Sequence, residues 1–176
     1  MEVTINLIDV NDPPTIEEDN PMQIQVRVAE NSASGTAVLP GPFTATDPDG
    51  TTDFIWTILA GNDAGFFAIG ETSGQLMVAK TGLNFEEKNE YLLFITAADP
   101  EGADDGRQIN VTLTDVNDPP VVPDRTYMIE ELNATTGGVI TTLEPSDEDG
   151  DDITYRVVSV MRKAPSPDGN YLTASA

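Results

Sequence analysis

Hydrophobic and polar residues alternate along several short segments of this chain. The alternation runs through residues 22–28, 54–58, 76–78, 91–97 and 109–113. Apolar side chains at every second position line one face of a β-strand, and the Gly, Pro and Asp residues between these segments favour turns. No segment shows the spacing of an amphipathic helix. About seven such strands in roughly 105 residues is typical of an antiparallel β-sandwich.

One sequence pattern occurs twice in the chain. Asp-Val-Asn-Asp-Pro-Pro begins at Asp9 and again, letter for letter, at Asp115. An Asp-x-Asp-Gly pattern begins at Asp47 and again at Asp147, and residues 28–31 weakly resemble residues 129–132. An ordered series of matches indicates tandem repeats of one structural unit.

The repeat predicts where the domain boundaries lie. Residues 15–120 form one complete repeat, and residues 1–14 are interpreted as the last strand and exit linker of a preceding one. Residues 121–176 are interpreted as the truncated N-terminal half of a following repeat, in which Ile153 and Tyr155 take the places of Phe54 and Trp56. Half a repeat has too few strands to bury its own apolar faces, and we therefore expect residues 121–176 to be poorly packed.

The chain is strongly acidic. It has 31 Asp and Glu residues against 8 Lys and Arg, a formal net charge of −23. This charge repels nucleic acid and anionic membranes and attracts cations, although a solvated acidic surface alone would have the same composition. The chain has neither Cys nor His, which excludes disulfides, the usual zinc sites and His-dependent nucleophiles. No stretch approaches the roughly 20 apolar residues of a membrane span.

The motifs together resemble those of cadherin repeats. The linker at 115–120, Ala29-Glu30-Asn31, Asp47-Pro48-Asp49, Leu83-Asn84-Phe85-Glu86 and the strand at 91–99 stand in the order of that family, with weaker matches at 67–69 and 73–76. The resemblance implies a Greek-key, seven-stranded β-sandwich of the cadherin or immunoglobulin-like kind. It also implies Ca²⁺ at the junctions between repeats. Calcium takes six to eight oxygen ligands, which acidic linkers supply.

The resemblance further implies two sets of calcium ligands. The junction after the complete repeat would use Glu30, Asn84, Glu86, Asp115, Asn117, Asp118, Asp147 and Asp149. The junction before it would use Asp9, Asn11, Asp12, Asp47, Asp49 and Asp99. The sequence departs from the family pattern at Asn84, a neutral residue where Asp is usual, and at Leu132, where Asn is usual.

The function that these observations favour is a calcium-rigidified adhesion repeat of a cell-surface or secreted protein. Its expected partners are neighbouring repeats of the same chain and, at the family level, cadherin-like molecules on apposed cells. The alternatives are a passive spacer or a carbohydrate-binding module of a large microbial surface protein. Catalysis is not expected, because the acids cluster at predicted repeat ends. Asp104 and Asp105 are expected in a solvated hairpin turn, and Trp56 in the core.

Two segments of the sequence fit the acceptor pattern for N-linked glycosylation. These are Asn110-Val111-Thr112 and Asn133-Ala134-Thr135. The pattern has a consequence only in a host with the corresponding machinery.

Overall fold

The computed structural model describes residues 1, 3–17, 24–38, 41–125, 139, 141–156, 159–162 and 172–175. They belong to two compact units, Met1–Val116 and Asn117–Ala176. Among the described residues there is no helix. The predictions for Met22, for residues 129–132 and for the sequon at Asn133 lie outside this part of the chain.

The first unit contains eight described strands. They are β1 (Thr15–Ile16), β2 (Ile24–Ala29), β3 (Ala45–Thr46), β4 (Ile55–Ala60), β5 (Phe67–Ile69), β6 (Leu76–Val78), β7 (Glu90–Ala98) and β8 (Asp104–Thr114). The described residues of each alternating segment lie in one of these strands or directly next to one. This confirms the all-β prediction.

The central sheet has the strand order β2-β8-β7-β4. Strands β7 and β8, and likewise β4 and β7, pair in the antiparallel sense, whereas β2 and β8 are parallel, with Ile24 opposite Ile109 and Ala29 opposite Thr114. Two smaller antiparallel sheets pair β1 with β3 and β5 with β6. The parallel pairing has a consequence for the acidic residues, because it brings the C-terminal ends of β2 and β8 to the same end of the sheet.

The core is formed by the inward-facing residues of these strands. Buried members are Ile16, Val26, Val28, Val38, Phe54, Trp56, Phe67, Leu76, Val78, Leu83, Tyr91, Leu93, Ile95, Ala97, Ile109, Val111 and Leu113. Trp56 is only 4% exposed and its ring lies 6.1 Å from that of Phe43. This confirms Trp56 as a core residue.

The expectation of a solvated hairpin turn at Asp104 and Asp105 is wrong. Both residues lie in β8, and the turn before it is made by residues 99–103, where the Asp99 amide donates to the Ala103 carbonyl oxygen at 2.9 Å. The Asp105 carboxylate accepts a hydrogen bond from the Ile16 amide at 2.9 Å and pairs with Arg107. Asp105 therefore fastens β1 to β8, a role that the local sequence pattern did not indicate.

Residues 3–14 contain no strand. A single extended segment without a neighbouring strand has no ladder partner for its amides and carbonyls. The assignment of residues 1–14 to a preceding repeat stays a prediction.

The second unit is loosely packed in the part that the structure describes. Val121 and Ser146 form an antiparallel bridge, and β9 (Ser159–Arg162) pairs with β10 (Leu172–Ser175). None of the described side chains in 117–156 is buried, and Tyr155 is 55% exposed. Ile153 and Tyr155 do not lie in a strand, contrary to expectation, because the described part of this unit supplies too few paired strands to cover them.

Candidate metal centre

Two acidic residues meet at one end of the central sheet of the first unit. Glu30 directly follows β2 and Asp115 directly follows β8. The parallel ladder continues one step beyond β2, since the Glu30 amide donates to the Thr114 carbonyl oxygen at 3.1 Å. Strand pairing therefore brings Glu30 next to Asp115 although they are far apart in sequence.

The Glu30 carboxylate is almost completely buried, with 2% of the residue exposed. One oxygen accepts a hydrogen bond from the Phe85 amide at 2.7 Å, and the other accepts one from the Val116 amide at 2.7 Å. Among the described residues no Lys or Arg forms an ion pair with it. A buried carboxylate without a positive partner is costly unless hydrogen bonds or a cation compensate its charge.

A tight loop brings a third acid to the same place. Asn31 adopts a left-handed backbone conformation, with φ of 53°, and its amide donates to the Leu83 carbonyl oxygen at 3.0 Å. Asn84 caps the following turn, because its Oδ1 accepts from the Glu87 amide at 2.6 Å and its carbonyl oxygen accepts from the Lys88 amide at 3.0 Å. Glu86 is carried on this capped turn.

Carboxylate oxygens of Glu30, Glu86 and Asp115 all lie within 4.8 Å of one another. Calcium binds oxygen at about 2.3–2.6 Å, so two oxygens on one ion can be at most about 5 Å apart. The three carboxylates fit this limit, and their hard oxygens suit calcium. We call Glu30, Glu86 and Asp115 the Glu30 cluster.

Asp99 accepts hydrogen bonds from a turn and from a linker residue of the same unit. Its Oδ1 accepts hydrogen bonds from the amides of Glu101, Gly102 and Ala103 at 2.6–3.0 Å. Its Oδ2 accepts from Nδ2 of Asn11 at 2.8 Å. The Asn11 hydrogen bond is the main cause that lowers the pKa of Asp99, and the backbone amides add to it against the opposing effect of burial. Asp99 thus stays ionised and holds the linker residue Asn11.

The next linker residue contacts the Asp-x-Asp-Gly turn. The Asp12 amide donates to Oδ2 of Asp49 at 2.7 Å, and the Asp49 amide donates to Oδ1 of Asp47 at 2.8 Å. Oδ2 of Asp47 is buried and has no hydrogen-bond partner among the described residues. A carboxylate oxygen in that state is a suitable ligand for a cation. Asp9, the first residue of this linker motif, is exposed.

The second unit repeats the linker-to-turn contact within itself. The Asp118 amide donates to Oδ2 of Asp149 at 2.5 Å, as the Asp12 amide does to Asp49. Oδ1 of Asp147 accepts from the Asp151 amide at 3.1 Å, and Nδ2 of Asn117 donates to the Asp118 carbonyl oxygen at 3.0 Å. The two copies of the motif therefore have similar local geometry as well as similar sequence.

Comparison with known proteins identifies the family. The cadherin domain profile matches residues 24–115. Cadherin EGF LAG seven-pass G-type receptor 2 of Rattus norvegicus is 36% identical over 165 residues, which cover 88% of this chain and 7% of that protein. Cadherin-18 of Bos taurus is 31% identical over 172 residues, 90% of this chain and 21% of that protein.

The fold agrees with these relatives. The solved structure of human CDH23 EC21-23 superposes with a TM-score of 0.58 at 21% identity, covering 90% of this chain and 51% of that one. The chain belongs to the cadherin family, which confirms the resemblance and the β-sandwich class. The matched region of this chain spans 7% of the length of the first relative and 21% of the length of the second.

Membership of this family bears on the expected class of function. Cadherin domains are calcium-binding modules of cell-adhesion proteins and not enzymes, as expected. A spacer or carbohydrate-binding module of a microbial surface protein is not favoured. The part of the chain that the structure describes contains no helix that could span a membrane.

Proposed function

We propose that the complete repeat binds Ca²⁺ through the Glu30 cluster and acts as an adhesion repeat in the extracellular part of a cell-surface protein. The observation that carries this proposal is the approach of three carboxylates to within 4.8 Å, one of them on the buried Glu30. Like charges at this spacing repel one another, and a divalent cation removes the repulsion.

The residues of the cluster connect the metal to the exit linker. Glu30 accepts a hydrogen bond from the Val116 amide, and Asp115 is the first residue of the linker motif. When bound, Ca²⁺ supplies positive charge that the three oxygens share. Glu30 and Asp115 then hold the start of the linker against the end of β2, so that the linker leaves the repeat in a fixed direction.

The remaining predicted ligands are proposed at two further places. In the first unit these are Asp9, Asn11, Asp12, Asp47, Asp49 and Asp99, with the unpartnered Oδ2 of Asp47 as the strongest support. In the second unit these are Asn117, Asp118, Asp147 and Asp149. Asn84 is proposed as a neutral ligand beside the Glu30 cluster, although its side-chain oxygen also caps the turn before Glu87.

The proposed partners follow from family membership. They are neighbouring repeats of the same chain and cadherin-like molecules on apposed cells. We place the repeat outside the cell and propose no contact of this segment with membrane or nucleic acid, in keeping with a net charge of −23.

Calcium titration of the purified chain, by calorimetry and by thermal melting, tests the metal proposal. We expect saturable binding with a Kd on the order of 10⁻⁴–10⁻³ M and a melting temperature that rises with Ca²⁺ but much less with Mg²⁺. Asp115→Ala should remove the binding event at the Glu30 cluster, whereas Glu71→Ala, on an exposed residue away from the cluster, should retain it. Absence of specific binding up to about 10 mM would reject the proposal.

Adhesion itself needs a separate measurement. Beads coated with the full chain should aggregate in Ca²⁺ and disperse when it is chelated. If the chain binds Ca²⁺ with the expected affinity but its beads stay dispersed, the metal site stands and this segment is a spacer within an adhesive protein.

A further inference from the structure

We propose that Asn110 is a site of N-linked glycosylation and that its glycan covers an exposed apolar strip on the outer face of the central sheet. The acceptor pattern requires Asn and, two residues later, Ser or Thr, which Asn110 and Thr112 provide. The modification adds a bulky hydrophilic group, so its product must face solvent in the folded protein.

The position of Asn110 on β8 meets that requirement. Val111 is fully buried, so its neighbours Asn110 and Thr112 point to the opposite, outer face. Nδ2 of Asn110 makes one exposed hydrogen bond, to Oε1 of Gln25 on β2 at 3.3 Å. An amide nitrogen carries two hydrogens, and glycosylation replaces one of them. The hydrogen bond to Gln25 is therefore compatible with the modified side chain.

The residues around Asn110 supply an apolar surface for the glycan. Leu92 is the direct cross-strand partner of Asn110 on β7 and is 50% exposed. Directly opposed side chains have Cβ atoms about 5 Å apart. Phe94, two residues farther along the same face, is 37% exposed, and Ile55 and Leu59 of β4 are exposed as well. A glycan attached to Asn110 starts beside Leu92 and extends from there over this strip.

The fold also determines when the transfer takes place. In the folded repeat β8 is hydrogen bonded on both sides, to β2 and to β7, so its backbone is closed to an enzyme that grips an extended segment. It is also the last strand of the repeat in sequence, and therefore the last to be synthesised. We assign the modification to the nascent chain, before β8 inserts between β2 and β7.

The chemistry is a simple glycosyl transfer. Nδ2 attacks the anomeric carbon of a lipid-linked oligosaccharide pyrophosphate, the bond from that carbon to the pyrophosphate oxygen breaks, and the lipid pyrophosphate leaves. The amide nitrogen gives up one proton to the transferase. No oxidant or reductant takes part.

The test uses the full chain secreted from a eukaryotic cell, with Asn133→Gln to remove the second acceptor pattern. Peptide N-glycosidase converts a glycosylated Asn to Asp, so digestion in ¹⁸O-labelled water should place the label at residue 110. Asn110→Gln and Thr112→Ala should each abolish the glycan, and Thr112→Ser should preserve it. Folded, secreted protein that is unmodified at Asn110 would overturn the proposal.

Coverage of the apolar strip is measured separately. Glycosylated protein should bind less of a fluorescent dye for apolar surfaces than the Asn110→Gln variant. Leu92→Thr in the Asn110→Gln variant should reduce that dye binding. Equal dye binding with and without the glycan would overturn coverage of the strip, while the mass measurement decides the modification itself.

Discussion

One carboxylate oxygen of Glu30 accepts a hydrogen bond from the Val116 amide at 2.7 Å, across 86 residues of sequence. Its other oxygen accepts a hydrogen bond from the Phe85 amide. Glu30 therefore holds three parts of the repeat together: the end of β2, the loop that carries Glu86, and the start of the linker. This structural role does not depend on any metal. The contribution of Glu30 to folding stability can therefore be measured separately from its contribution to metal binding.

Removal of the Glu30 carboxylate should destabilise the repeat even in a chelator. Glu30→Ala leaves two amides without their acceptors, and hydrogen bonds to a charged group contribute about 1.5–3 kcal/mol each. We expect the free energy of unfolding in urea to fall by roughly 3 kcal/mol. Glu71→Ala serves as the control and should change it by less than about 0.5 kcal/mol. A similar small effect at Glu30 would show that these hydrogen bonds do not stabilise the repeat.

Neutralising the exposed members of the Glu30 cluster should have opposite effects on stability and binding. Asp115→Asn and Glu86→Gln remove like-charge repulsion, so the calcium-free protein should melt at a higher temperature than the parent. The same changes lower the charge of the ligand set, so the calcium affinity should fall by about tenfold or more. Glu90→Gln, on an exposed strand residue, is the control. Melting temperatures that fall in the calcium-free state would contradict the repulsion argument.

Protonation of Asp99 should weaken the first unit at low pH. Hydrogen bonds lower the pKa of Asp99 in the folded protein, and the one from Asn11 has the largest effect. The folded state therefore favours the ionised form. The resulting stability is present above the unfolded pKa of about 3.9 and is lost as pH falls through the folded value. In chelator, urea midpoints at neutral and acid pH should differ less for Asp99→Asn than for the parent or for Asp63→Asn. An unchanged pH dependence would contradict this assignment.

The strands of the first unit could be predicted from local sequence because one face of each strand is buried. Tyr91, Leu93, Ile95 and Ala97 are all buried in β7, while Leu92 and Phe94 point outward. The parallel pairing of β2 with β8 could not be predicted from alternation. Alternation fixes which face of a strand is apolar, but not which strand lies beside it.

Residue type and resemblance identify the acids of the candidate site, but they do not identify the hydrogen-bond donors of those acids. The amides of Phe85 and Val116 hold Glu30, and three turn amides hold Asp99. Every residue except Pro has such an amide, so sequence gives no signal for the few that are used. The role of Asp105 is hidden from the sequence for a similar reason, because its partner Ile16 lies on a remote strand.

The last prediction concerns a close approach of two backbones. Gly61 has φ of +85°, and a Cβ at this position would lie 1.9 Å from the carbonyl oxygen of Leu92 on β7. Gly65 has φ of +70°, but a Cβ there would meet nothing within 4 Å. Gly65→Ala should cost only the left-handed backbone strain, about 1–2 kcal/mol.

Gly61→Ala carries the same strain and a clash with backbone that cannot rotate away. We expect it to lower the free energy of unfolding by about 2 kcal/mol more than Gly65→Ala does. Urea unfolding of both variants in chelator gives the comparison without any contribution from metal. Equal losses in the two variants would mean that β7 moves away from residue 61 at little cost, and the β4–β7 edge of the sheet would then be more deformable than its pairing indicates.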